Sequence, residues 1–181
     1  TSRLMTRISG AAAVAARHRK AEQARVKAAA PHRVDYFHQV DEGYSYLAAQ
    51  TLEQLADRYD IELHCHLVRG QEGKNAPEPE LLARLARVDS LEIAPGYGLS
   101  FPSRPDAPAA SLVETASQIL ATQSHSDFPK VAVSVSEALW CDDAAALARL
   151  AAELGTASLE ATTAAIEAGT AKRRELKHYS G

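Results

Sequence analysis

Residues 33–68, RVDYFHQVDEGYSYLAAQTLEQLADRYDIELHCHLV, decide the fold. Residues 33–40 (RVDYFHQV) are short and rich in β-branched and aromatic residues, the composition of a strand. Asp41, Glu42 and Gly43 follow as a turn. Residues 44–59 then place Leu47, Leu52, Leu55 and Tyr59 near a 3.6-residue period, which predicts a helix closed by Asp60. Residues 61–68 (IELHCHLV) alternate apolar and polar as a second strand does. Strand, helix and strand within about 35 residues make a βαβ unit, and its strands should pair in parallel.

Outward from this unit the texture changes. Residues 70–80 (GQEGKNAPEPE) form a polar loop rich in Gly and Pro. Residues 81–94 read as a short helix ended by Pro95 and Gly96. Residues 97–109 cannot be regular, with prolines at 102, 105 and 108. Residues 111–123 form another helix, with Ser111 as N-cap and Glu114 as its capping-box partner. Around residues 131–140 two periods compete. Val131, Val133 and Val135 alternate like a strand, whereas Val131, Val135 and Leu139 keep helical spacing after Asp127-Phe128-Pro129. Helix is the preferred reading. Two more helices follow, with Gly155 as the stop between them. Everything beyond residue 80 is therefore helical behind one βαβ unit. Two strands alone make a poor sheet, so the sequence is expected to be the first part of a longer fold. The expected organisation is a basic helical extension (1–33), the βαβ unit (34–70) and a helical insertion (71–181).

Composition bounds the function. The chain has 181 residues, 46% of them hydrophobic, which suffices for one domain with a real core. Two cysteines exclude a disulfide framework or a four-thiolate zinc site. No apolar run approaches the roughly 18 residues of a membrane span, so no membrane partner is expected. The first residues lack a compact apolar core of secretory type, which makes a reducing cytoplasm the expected compartment. The net charge of −3 hides an asymmetry: residues 1–34 carry eight Lys/Arg against Glu22 alone, or +7, and the body carries −10. Residues 11–30 are nearly all strong helix formers, stopped by Pro31. A basic helix of this kind reads as a transit peptide, a nucleic-acid arm or a membrane-surface helix. The preferred reading is plainer, a solvated helix against its own acidic body or a partner subunit in a homodimer. The acidic body and the lack of interleaved aromatics argue against nucleic acid.

A family resemblance enters on three motifs. DYFHQVDEGYSYLAAQTLEQLADRYDIELHCHLV (35–68) resembles the opening of the DsbA-like branch of the thioredoxin superfamily. That branch includes 2-hydroxychromene-2-carboxylate isomerases and kappa-class glutathione transferases, whose first strand runs into a Ser-Pro-Tyr-Ser-Tyr-Leu type turn and helix. RLARVDSLEIAPGYGLSFP (84–102) is similar to the family's basic helix before a Gly-Leu-x-Phe-Pro turn, and SEALWCDD (136–143) to its Ala-Leu-Trp helix. The resemblance implies an α/β fold, a thioredoxin-like βαβ unit with a large helical insertion. A β-hairpin and a last helix bearing a cis-proline loop would follow residue 181. It also implies a reactive group at the start of the first helix of the unit, where free N–H groups and the helix dipole stabilise an anion. Aligned on Tyr44-Ser45-Tyr46-Leu47, the nucleophile position falls on Glu42 and the following proline on Gly43. With no cysteine there, dithiol–disulfide exchange is chemically excluded at this site. The isomerases' serine is missing as well, while Ser45 matches a second family serine that could contact a thiolate. By resemblance, then, Glu42 and Ser45 are the catalytic candidates, and Tyr44, Tyr97 and Phe101 are candidates to line the cleft. Glutathione is the implied cofactor, and a small aromatic or electrophilic molecule the implied substrate.

Each candidate has a plainer reading. Acids such as Asp41 and Glu42 cap helix starts and gain about 0.3–1 kcal/mol from the dipole. Functionally, Glu42 would fill the anion site, making it inactive or retuned toward cations or general-base work. His64 and His66 flank Cys65 on the second strand, and period 2 puts both imidazoles on one face. His38 on the neighbouring strand could share that face in a set of metal-ligand type. Without a carboxylate at fixed spacing the signal is weak, and no metal is assigned. Cys65 reads as buried core, Cys141 beside Asp142 and Asp143 as a poor nucleophile. Tyr97, Phe101 and Trp140 read as core of the helical insertion. Three functions remain: a glutathione-dependent isomerase or transferase, a non-catalytic thioredoxin-fold binding protein, and an interaction protein working through its basic arm.

Overall fold

The computed structural model describes residues 10–70, 76–103 and 106–177. Its elements run α1 (Ala11–Lys27), β1 (Arg33–His38), α2 (Gly43–Arg58), β2 (Glu62–Leu67), α3 (Pro79–Ile93), a 3₁₀ turn (Ala94–Tyr97), α4 (Ala110–Leu120), α5 (Phe128–Trp140), α6 (Ala144–Leu154) and α7 (Leu159–Glu175). The expected βαβ unit is present, and β1 pairs with β2 in parallel. Among the described residues the sheet has these two strands alone. Residues 131–140 are helical, as preferred. Phe128 and Pro129 open α5 at its first turn, where proline costs nothing because its missing N–H would be unpaired anyway.

α5 is the hub of the core. Phe128, Ala132, Val135, Leu139 and Trp140 are all buried and share one broad face of the helix. Ala49 of α2, Cys65 and Leu67 of β2, and Ile119 and Leu120 of α4 join the same cluster. The register Tyr36↔Cys65 and His38↔Leu67 turns Tyr36, His38, Cys65 and Leu67 toward that core. Asp35, Phe37, His64 and His66 fall on the opposite face.

Two expectations need correction. Ser111 does not cap α4: the N-cap is Ala109, with no side-chain cap bond, and Ser111 lies within the first turn, its carbonyl accepting from Thr115 Oγ1 at 3.0 Å. Tyr97 is not core. It sits in the 3₁₀ turn before Gly98, whose φ of 69° swings the chain away, and it is 76% exposed. α1 has no fully buried residue, as its small, mostly alanine apolar side implies for a solvated helix. Residues 71–75 of the polar loop, Pro105 and residues 178–181 lie outside the described residues. No helix among the described residues is long and apolar enough to cross a membrane.

The last helix returns to the sheet and packs on the outer edge of β2. Arg69 N–H donates to Thr170 Oγ1 at 3.1 Å, and Arg173 donates to the Arg69 carbonyl at 3.0 Å. The approach requires Gly169, because a Cβ there would lie 2.0 Å from the Leu67 carbonyl oxygen. Gly169→Ala should therefore push α7 off the strand and cost about 1–3 kcal/mol in urea unfolding. Gly96→Ala, whose Cβ would meet nothing within 4 Å, is the control and should change stability by less than about 0.5 kcal/mol. Equal effects from the two would refute the close-approach account.

Candidate functional site at the start of the second helix

The turn after β1 delivers residues 41–45 to the end of the sheet. Glu42 is extended (φ −113°, ψ 125°) and is the N-cap of α2. Its carboxylate accepts from Tyr44 N–H at 3.1 Å and from Ser45 N–H at 2.6 Å. Two of the amides that a helix start leaves unpaired are thus taken by the chain's own acid. Glu42 is half-buried, and burial pushes its carboxyl above the usual range while the two amide bonds pull it back. A proton is therefore held more tightly folded than unfolded, so the Glu42 contribution to stability falls as pH rises above 4.5.

Ser45 is brought against Glu42 but is not open to a ligand. It is 8% exposed, and its hydroxyl accepts from Gln39 N–H at 3.2 Å. Tyr44 projects outward and donates to Asp89 Oδ2 of α3 at 2.6 Å, an interaction that pushes the phenol up to about 12. Phe101 reaches the site from the other side. Its ring edge lies 3.3 Å from where a Gly43 Cβ would stand, and it packs on Tyr46 (5.9 Å) and Trp140 (5.0 Å). Gly43 also abuts Ser90, whose fully buried hydroxyl has no partner, and the buried Trp140 indole N–H has none either. The structure thus brings together Glu42, Tyr44, Ser45 and Phe101 and leaves Tyr97 outside.

Two residues behind the site escaped the sequence reading in this role. Tyr36 O–H donates to the Ser45 carbonyl at 2.8 Å and lies 2.8 Å from His38 Nδ1. The phenol's one proton is committed to Ser45, so His38 must be the donor at Nδ1. That leaves the His38 Nε2 lone pair buried with no partner. His38 is fully buried, and burial pushes its pKa down to about 4. The signal was the alternation of Tyr36 and His38 on β1, one strand face behind the helix start. The sequence pattern alone groups His38 with His64 and His66. The register overturns that grouping, because Phe37, not His38, stands opposite His66. Among the described residues no three His, Cys, Asp or Glu side chains converge to hold a metal ion.

A parallel βαβ unit followed by helices is the arrangement of a thioredoxin-like fold with a helical insertion. The same fold appears in the solved structure of a selenomethionine 2-hydroxychromene-2-carboxylate isomerase. That structure matches this chain with a TM-score of 0.52 and 21% sequence identity over 80% of each chain. At that identity the likeness is one of fold. No protein-family model matches the chain, and no curated protein matches it in sequence.

His38 supplies a sharp test of the buried chain. As pH falls from 6.5 toward 4, the unfolded chain takes up a proton that folded His38 refuses, so stability is lost in that window. The full effect is on the order of 3 kcal/mol. His38→Phe cannot titrate, so on acidification the wild type should lose stability relative to it by that amount. A gap independent of pH in urea unfolding would mean His38 is not held neutral.

Proposed function

We propose that this chain is a non-catalytic thioredoxin-fold protein that binds a small aromatic molecule beside the start of α2, with thiol chemistry shut out by Glu42. One observation carries the reading: the Glu42 carboxylate already accepts the Tyr44 and Ser45 amides that a bound thiolate would need. A glutathione thiolate does not fit these residues, since it would meet a carboxylate where the fold offers an anion amide donors. The aromatic preference rests on Phe101, Tyr46 and Trp140, with the unpartnered Ser90 hydroxyl and Trp140 N–H as donors for an acceptor on the ligand.

Glutathione-dependent isomerase or transferase activity is the second reading. It is supported by the fold shared with the isomerase and by the sequence resemblance that aligns Ser45 with a second family serine. The two separate in calorimetry. The wild type should give no heat with glutathione at concentrations of about 1–10 mM, and Glu42→Ser, which removes the carboxylate and keeps a capping hydroxyl, should restore binding. Wild-type binding in that range, together with thiol-dependent turnover of an aromatic substrate, would establish the second reading instead. Trp140 is the single tryptophan, so its fluorescence reports aromatic ligands directly. Titration with small aromatic compounds should quench it in the wild type and much less in Phe101→Ala.

A further inference from the structure

Away from the α2 site, a second polar cluster closes the outer edge of β2. His125, in the loop between α4 and α5, grips Cys65 twice. Its Nδ1 accepts from Cys65 N–H at 3.1 Å, and its carbonyl accepts from the Cys65 thiol at 3.9 Å. The first bond requires a lone pair on Nδ1, so the ring must be neutral with its proton on Nε2. The ring also lies against two other imidazoles, His64 at 4.8 Å and His66 at 5.9 Å between centroids.

The charges around this cluster are distributed unevenly. From β2, His64 has the Glu62 carboxylate 3.6 Å away. His66 Nε2–H donates to the Asp35 carboxylate of β1 at 2.8 Å, and Arg33 pairs with the same Asp35 at 2.6 Å. From α7, Lys172 lies by the adjoining cleft and is held by Glu175 at 3.1 Å. Within the loop, Asp127 accepts from Ser124 Oγ. Each strand histidine therefore has a carboxylate beside it, whereas the charged groups bearing on His125 itself are His64, His66 and Arg33. Burial and these neighbours hold its pKa below the usual imidazole value of 6.5.

We propose that His125 is a pH-operated latch on β2: neutral, it pins the α4–α5 loop to Cys65, and protonated at Nδ1 it releases the loop and opens Cys65 to small thiol-reactive molecules. Protonation replaces an acceptor with a second N–H facing the Cys65 N–H, so the bond is lost and a repulsion takes its place. Closed, Cys65 is buried, and burial pushes its thiol up to about 12, which makes it inert. Released, it faces a cleft of about 290 Å³ that Cys65, His66, Gln123 and Phe128 already line.

The test uses the full chain with Cys141→Ser, which removes the exposed second thiol and leaves Cys65 alone. Labelling with 4,4′-dithiodipyridine, which reacts with thiols in acid as well as at neutral pH, should accelerate about tenfold from about pH 7.5 to about pH 5. Adding His125→Gln keeps an acceptor that cannot titrate, and it should abolish the acceleration. Amide exchange in the unmodified wild type gives an independent readout. The protection factor of Cys65 should fall over the same range while Ala132, in the centre of α5, stays protected. A labelling rate that is flat or slower in acid overturns the latch, as does acceleration that survives His125→Gln. Joint loss of protection at Cys65 and Ala132 also overturns it, because it would report global unfolding.

Discussion

A pair of parallel strands satisfies only the backbone groups that face inward, and the outer edge of β2 is the constraint around which the helices are arranged. Even-numbered residues of β2 face β1, with Glu62 N–H donating to the His32 carbonyl and Val68 N–H to that of His38. Odd-numbered residues turn their N–H and C=O outward, where a strand edge invites unwanted pairing. Three residues from two elements distant in sequence, the α4–α5 loop and α7, close this edge. His125 takes Cys65 N–H, Thr170 takes Arg69 N–H, and Arg173 fills the Arg69 carbonyl. The close fit at Gly169 allows α7 to lie against the strand. The helical insertion is thus more than an appendage, since its α4–α5 loop and its last helix cover the edge of the small sheet.

The start of α2 poses the same accounting problem at a different place. A helix start leaves free amides that water, a ligand or a capping side chain can satisfy. Glu42 is tethered two and three residues from the amides it caps. A tethered group acts at an effective concentration far above that of a millimolar free ligand. A dissolved thiolate must therefore displace a carboxylate that never leaves the neighbourhood. Burial raises the energy of that carboxylate, and the two amide bonds offset part of the rise. This balance makes the site a closed version of the anion cradle that the fold provides.

Most of the architecture was legible because it rests on periodicity. The βαβ unit needed only the alternation in residues 33–40 and 61–68 and the spacing of Leu47, Leu52 and Leu55. The conflict over residues 131–140 yielded to Pro129, a residue tolerated at a helix start and costly inside a strand. Glu42 as a capping acid was also readable, from its place before a helical run. What escaped depends on partners far away in the chain. The face of His38 follows from strand register, which neither strand encodes alone. Tyr97 looked like core by residue type, but Gly98 turns the chain outward beside it. Ser111 matched a capping pattern, yet the helix begins one residue earlier. His125 lies in a Ser-rich loop 60 residues from Cys65, and no local pattern links them.

Register also sorts the polar residues of the sheet into two chemistries. On the core face, Tyr36 and His38 form a neutral hydrogen-bonded chain behind α2, where a charge would be costly. On the other face, Asp35, His64 and His66 lie with Arg33, where charges can be balanced. A slip of one residue would exchange the two faces of β2 relative to β1. It would turn His64 and His66 toward Phe128 and Leu139, and it would carry Cys65 and Leu67 out of the core they now help to build. The histidines flanking Cys65 therefore penalise the wrong register, while Cys65 and Leu67 favour the right one. The alternation that first marked residues 61–68 as a strand thus also separates the polar groups that meet charged partners from those buried behind α2.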